Sequence, residues 1–203
     1  MMMMMGRHFK NLALLLFFLV AFQAKAIYLL IPMDADGQKE HLKAYGIAYY
    51  VLEQQVEVEW LLNYRGGSFL IPFAEEIKLE CRIRNVSYEV VSSEQAQQIR
   101  TEISSPAVNQ SIVKLQNAPK IAVYSPKGNQ PWDDAVTLVL TYAEIPYDIV
   151  YDAEVINDLL AKYDWLHLHH EDFTGQYGKF YASFKNAPWY INQKQEAEAS
   201  AKE

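Results

Sequence analysis

The chain has 203 residues, with 18 Lys and Arg against 25 Asp and Glu, a formal net charge of −7, 51% apolar residues and a single cysteine. That apolar content excludes an intrinsically disordered chain, and one cysteine excludes an internal disulfide framework. The acidic balance argues against a general nucleic-acid binder, which needs a basic face.

Residues 1–26 read as a secretory signal peptide. Arg7 and Lys10 form a positive start, Leu12 to Phe22 an apolar run, and Ala24-Lys25-Ala26 a small-x-small cleavage site. The apolar run is 11 residues long, whereas a membrane span takes about 20. Cleavage before Ile27 is therefore expected, with no membrane association afterwards and a periplasmic or extracellular destination. Losing the leader's three bases, Arg7, Lys10 and Lys25, leaves 15 basic against 25 acidic residues, a net charge of −10.

Ile27 to Pro32 is a nearly continuous apolar run of strand length, the pattern of a strand buried on both faces. A polar loop with Asp34 and Asp36 follows, then a predicted helix over 38–55 with Leu42, Tyr45, Tyr49 and Leu52 on one face. Val56 to Leu62 alternates as a strand. Asn63-Tyr64-Arg65-Gly66-Gly67-Ser68 is a turn, and Phe69 to Pro72 a short strand or a lead into a helix over 74–84. Val86 to Val91 is a strand and Ser93 to Ile103 a helix, with Ser92, Ser93, Glu94 and Gln95 forming a helix start.

Residues 105–119 form the clearest seam, opened by Ser104-Ser105-Pro106 and closed by Asn117-Ala118-Pro119, and read as a linker or crossover. A second set of units begins with a strand over 120–124 and a helix opened by Pro131 with Asp133 and Asp134 in its first turn. Tyr147 to Tyr151 is a strand, with Asp152 as the N-cap of a helix over 153–163 buried through Val155, Ile156, Leu159 and Leu160. Asp164 to His169 is the last strand. A short aromatic helix over 179–184 and a polar helical stretch opened by Pro188 close the sequence.

Strands alternating with helices of this length predict an α/β protein with a mostly parallel open sheet, or two small sheets, flanked by helices. The organisation expected is a leader over 1–26, an N-terminal α/β unit over 27–104, a connector over 105–119, and a second α/β unit over 120–203. The alanine-only apolar content of the last helix reads as a chain that stops before a further strand.

The densest polar cluster is His167, His169, His170, Glu171 and Asp172, where the last predicted strand ends. Ligands of open α/β sheets bind outside the carboxyl ends of the strands, so His169, His170, Glu171 and Asp172 are candidate ligand-binding residues. Imidazoles and carboxylates together suit a divalent cation, but the spacing is poor and no metal site is assigned. Arg65 beside Gly66 and Gly67 is a candidate for anion recognition, since Arg presents a fork for a carboxylate or phosphate; a plain strand-ending turn is the alternative. Asp34 and Asp36 read as an acidic turn capping the next helix. Cys81 sits in a helical Lys-Leu-Glu-Cys-Arg-Ile context without flanking glycines, as a buried thiol rather than a nucleophile. No nucleophile elbow or dinucleotide fingerprint is present, and no cofactor is expected.

The stretch KIAVYSPKGNQPWDDAVTLVLTYAEIPYDIVYDAEVINDLLAKYDWLHLHHEDFTG, residues 120–175, resembles the opening of the class I glutamine amidotransferase-like, flavodoxin-like fold. The segments IYLLIPMDADGQKEHLKAYGIAYYVLEQQ, VEWLLNYRGGSF and LHLHHEDFTGQYGKFYASFKNAPWY are similar to the N-terminal part of an exported bacterial family often labelled asparagine synthetase B. The resemblance implies a longer protein that continues into a glycine-rich strand-turn segment carrying a cysteine nucleophile. No catalytic residue is therefore assigned within 27–203, and the span is expected to be catalytically inert. Two other readings remain open at this point: a non-enzymatic module binding a small molecule or partner, and a metal-dependent hydrolase built on the His/Glu/Asp cluster.

Overall fold

The structure, a computed structural model, describes residues 27–125, 135–168 and 176–202. The first unit is built from β1 (Ile27–Ile31), α1 (His41–Glu53), β2 (Val58–Leu62), β3 (Ser68–Pro72), α2 (Glu75–Ile83), β4 (Glu89–Ser92), α3 (Ser93–Ile103) and β5 (Ser111–Leu115). Its strands form one five-stranded sheet in the order β4-β1-β3-β2-β5. Every pairing in it is antiparallel. This overturns the expected mostly parallel sheet.

Two features explain the difference. The turn over 63–67 is short, with positive φ at Asn63, Arg65, Gly66 and Gly67, and a short turn returns the chain beside the strand it left. β2 and β3 are thus a hairpin. β3 then inserts between β1 and β2, so the helical crossover through α1 joins strands that are not neighbours. The resulting β-α-β-β-α-β run with order 4-1-3-2 is the split β-α-β, ferredoxin-like arrangement, extended by β5 on the β2 edge. The second feature is coverage of both faces. Leu29, Ile31, Phe69 and Ile71 pack under α1 and α2 through Ala44, Ile47, Ala48, Val51, Ile77 and Cys81. Leu30, Leu61, Leu70 and Val91 pack under α3 through Ala96, Ile99 and Ile103. The central strands therefore carry continuous apolar runs although they are antiparallel.

Residues 105–119, expected as a connector, contain β5, which pairs with β2 from Ser111 opposite Leu62 to Leu115 opposite Val58. The buried side of α1 is Ala44, Gly46, Ile47, Ala48, Val51 and Leu52; of the expected stripe Leu52 is buried, while Leu42 and Tyr45 are exposed. Small residues face inward there because α1 is packed from two directions.

The second unit comprises β6 (Ile121–Tyr124), α4 (Ala135–Ala143), β7 (Asp148–Val150), α5 (Asp152–Ile156), a 3₁₀ turn (Leu159–Lys162), β8 (Trp165–Leu168), α6 (Gln176–Ser183) and α7 (Pro188–Ser200). Here the sheet is parallel, ordered β7-β6-β8. The helix expected over 153–163 breaks at Asp158, which has φ 55°, and Val155, Ile156 and Leu159 are exposed. Ile121, Val123 and Leu140 form a small core that Tyr49 of α1 joins.

The two units meet where α1 crosses α4. A Cβ on Gly46 would lie 1.8 Å from the carbonyl oxygen of Ala143. Around that crossing, Tyr142 donates to Glu40 at 2.6 Å, and Glu144 pairs with Arg84 at 3.3 Å and Lys43 at 3.8 Å. Tyr49 donates to the Pro119 carbonyl at 2.8 Å.

Candidate functional site

The carboxyl ends of β6 and β7 place three polar side chains together. Tyr124 is the last residue of β6, and Tyr151 and Asp152 follow β7 directly. The parallel register sets Tyr124 opposite Val150 on one side and Leu168 on the other. The Tyr124 hydroxyl donates to Asp152 Oδ1 at 2.5 Å, and its ring lies 5.3 Å from that of Tyr151, tilted by 38°. Burial, reinforced by the Asp152 hydrogen bond and charge, holds the Tyr124 phenol well above its ordinary value. Burial also raises Tyr151, and Asp152, Glu196 and Tyr181 add to it. Both phenols therefore stay protonated donors at neutral pH. A cleft of about 280 Å³ opens beside them, lined by Tyr124, Asp152, Val155, Ile156, Ala197 and Ala201.

Local sequence explains this arrangement. Tyr151, in extended backbone, is the residue before α5, and its amide donates to Glu154 at 2.8 Å. Asp152 is then the first helical residue rather than the cap, which turns its carboxylate to Tyr124. Sequence reasoning missed Tyr124 and Tyr151 as site residues and read Asp152 only as a cap. The available signal was an aromatic at the last position of each of two predicted strands.

His169, His170, Glu171 and Asp172 lie outside the described residues, as does the expected start of α4 at Pro131. His167 is on β8, 6.4 Å ring to ring from Trp165. Among the described residues, no group of three or more His, Cys, Asp or Glu side chains is arranged to hold a metal ion. Also among them, no helix is long and apolar enough to cross a membrane. The leader over 1–26 lies outside them too.

Arg65 belongs to the first unit, on the β2–β3 turn. Its Nε donates to Asp34 Oδ2 at 2.7 Å and its Nη1 to Glu89 Oε1 at 2.8 Å. The fork thus ties the end of β1 to the start of β4, and Asp34 also accepts from the Gly37 amide at 2.6 Å. The close approach here requires glycine. Gly66 has φ +79°, and a Cβ on it would lie 2.3 Å from the Met33 carbonyl oxygen.

The Arg65 hydrogen bond holds the Asp34 carboxyl below its ordinary value of 3.8. A carboxylate depressed in the folded state stabilises above its unfolded pKa, and that stabilisation fades as pH falls through the folded value. Arg65→Gln is therefore expected to lower the melting temperature by a constant amount above about pH 4, and by progressively less in more acid solution. Thermal melts of both proteins from neutral to acid pH check this. A difference that grows on acidification contradicts it.

Cys81 is on α2 and fully buried. Burial pushes its thiol up to about 12, so a negligible fraction is thiolate near neutrality.

Compared with family models, curated proteins and solved structures, the chain matches none.

Proposed function

We propose that this is an exported, amidotransferase-like protein whose second unit holds a small ligand at the carboxyl edge of its parallel sheet, and that residues 27–203 do not by themselves hydrolyse amides. The observation that carries the reading is the convergence of Tyr124, Tyr151 and Asp152 at that edge beside an open cleft. In β7-β6-β8 the chain passes outward from β6 to β7 and then back past β6 to β8, and parallel α/β sheets hold ligands at the carboxyl ends of their strands, where the strand order reverses. The sequence runs from β8 directly into His169, His170, Glu171 and Asp172. The resemblance of 120–175 to class I amidotransferases gives the ligand class, an amino acid with a side-chain amide. The expected inertness has its own support in the chain's single cysteine, which is buried in the other unit and held as the thiol.

Purified protein incubated with L-glutamine or L-asparagine is expected to release no ammonia above a protein-free control. Either amino acid is expected to shift the amide resonances of Tyr124, Tyr151 and Asp152, and Asp152→Asn to weaken that binding about tenfold. Ammonia release overturns the inert reading, and shifts that bypass these three residues overturn the site.

A further inference from the structure

A second cleft, of about 360 Å³, lies at the opposite, amino-terminal edge of the same sheet. α1 contributes Tyr49 and Glu53 to it, the start of β6 Lys120, the approach to β7 Pro146, Tyr147 and Asp148, and the approach to β8 Lys162 and Tyr163. Its volume is at the lower end of small-molecule sites, about 300–1,000 Å³.

We propose that this cleft is a binding site for a neutral, hydroxyl-rich ligand of one or two sugar rings. The charges select for neutrality. Lys120 and Lys162 are balanced by Glu53 and Asp148 within the one lining, so an anion drawn to the lysines meets two carboxylates, and a cation meets two ammonium groups. Vicinal hydroxyls, each both donor and acceptor, match such a mixed rim. The three phenols bring apolar ring bodies with polar tips, which suit the alternating C–H faces and hydroxyl edges of a sugar ring.

The rim is also held in place before any ligand arrives. Tyr49 donates to the Pro119 carbonyl at 2.8 Å, Tyr163 to Asp148 Oδ2 at 2.8 Å, and the Tyr147 hydroxyl lies 3.0 Å from Thr141 Oγ1. Lys162 sits over the Tyr163 ring, 4.9 Å from its centre. Against this fixed frame, the side chains of Glu53 and Lys120 make no hydrogen bond or ion pair among the described residues. One acceptor and one donor of opposite sign are thus uncommitted across a preorganised aromatic cleft, and preorganisation lowers the ordering cost of binding. The cleft spans both units, so an occupant there would fasten α1 to the parallel sheet. Its position at the amino edge keeps it separate from Tyr124 and Asp152.

Saturation-transfer NMR of the purified full chain with common aldohexoses, N-acetylhexosamines and their disaccharides tests the proposal, with acetate and inorganic phosphate as anionic comparisons. At least one saccharide is expected to bind, with amide shifts at Lys120, Tyr147, Asp148 and Tyr163. The double variant Glu53→Gln/Lys120→Met changes only exposed side chains and is expected to bind at least about tenfold more weakly with an unchanged melting temperature. No saccharide binding, preference for acetate or phosphate, or undiminished binding by the double variant each overturns the proposal. Shifts at Tyr124 and Asp152 instead would assign the saccharide to the other edge and overturn it as well.

Discussion

Replacing Gly46 with leucine is expected to separate the parallel sheet from the antiparallel one. Two effects of opposite sign act on any side chain at this position. A glycine inside a helix costs roughly 1 kcal/mol against alanine, so filling it favours α1. Filling a packed contact costs about 1–3 kcal/mol and sometimes more. The geometry decides between them, because a Cβ at Gly46 would lie 1.8 Å from the Ala143 carbonyl oxygen and 3.4 Å from Arg84 Nη1. No side-chain rotamer relieves a clash with backbone, so α4 itself must move away. The surrounding pairs, Tyr142 with Glu40 and Glu144 with Arg84 and Lys43, are too weakly stabilising in water to hold the crossing closed. Gly46→Ala is expected to lower stability despite its gain in helix propensity. Gly46→Leu is expected to split thermal unfolding into two transitions and speed proteolysis near residues 116–119. Gly178→Ala is the contrast: nothing among the described residues lies within 4 Å of a Cβ there, so the helix gain is what remains. A single unchanged transition for Gly46→Leu contradicts the expectation.

Phe69→Ala is expected to cost about 3–5 kcal/mol, the range for removing a large buried aromatic. Phe69, the second residue of β3, is 1% exposed. Its ring stacks on Trp60 at 6.2 Å and meets the edge of Tyr45 at 5.4 Å. It therefore joins β3, β2 and α1, and its loss leaves a void between the sheet and the helices on that face. Domains are stable by only about 5–15 kcal/mol, so a large share of the folded population is at stake. Phe69→Leu keeps most of the volume and is expected to recover most of the loss. Urea unfolding midpoints measure both, and a loss under about 1 kcal/mol for the alanine variant would show that the layers repack.

What could be read without the structure is instructive residue by residue. The start of α3 was legible because it is local: Ser92 accepts from the Gln95 amide while Gln95 accepts from the Ser92 amide, within four residues. Burial of Cys81 was legible because a lone cysteine in a helical context packs as a small apolar residue. The central strands misled because Ile-Tyr-Leu-Leu-Ile and Phe-Leu-Ile look alike whether a sheet is parallel or antiparallel, once helices cover both faces. The α1 face misled because Tyr45 and Leu42 are larger than Ala44 and Ala48, yet the tight crossing needs the small residues inside. The pairing of Tyr124 with Asp152 spans 28 residues, and no periodicity in either segment points to the other.

The amino-acid sequence by itself determined the acidic, one-cysteine character of the chain, the alternation of strands and helices outside residues 105–119, and the turn chemistry of Arg65-Gly66-Gly67. These depend on side-chain size, charge and backbone preference over a few residues. Only the tertiary structure decided that β3 enters between β1 and β2, that residues 111–115 are a sheet edge, and that Arg65 is clasped by Asp34 and Glu89. It alone brought the phenols to the two edges of the parallel sheet. Strand neighbours are chosen by backbone hydrogen bonds between distant segments, and those bonds carry almost no imprint of the residues that make them.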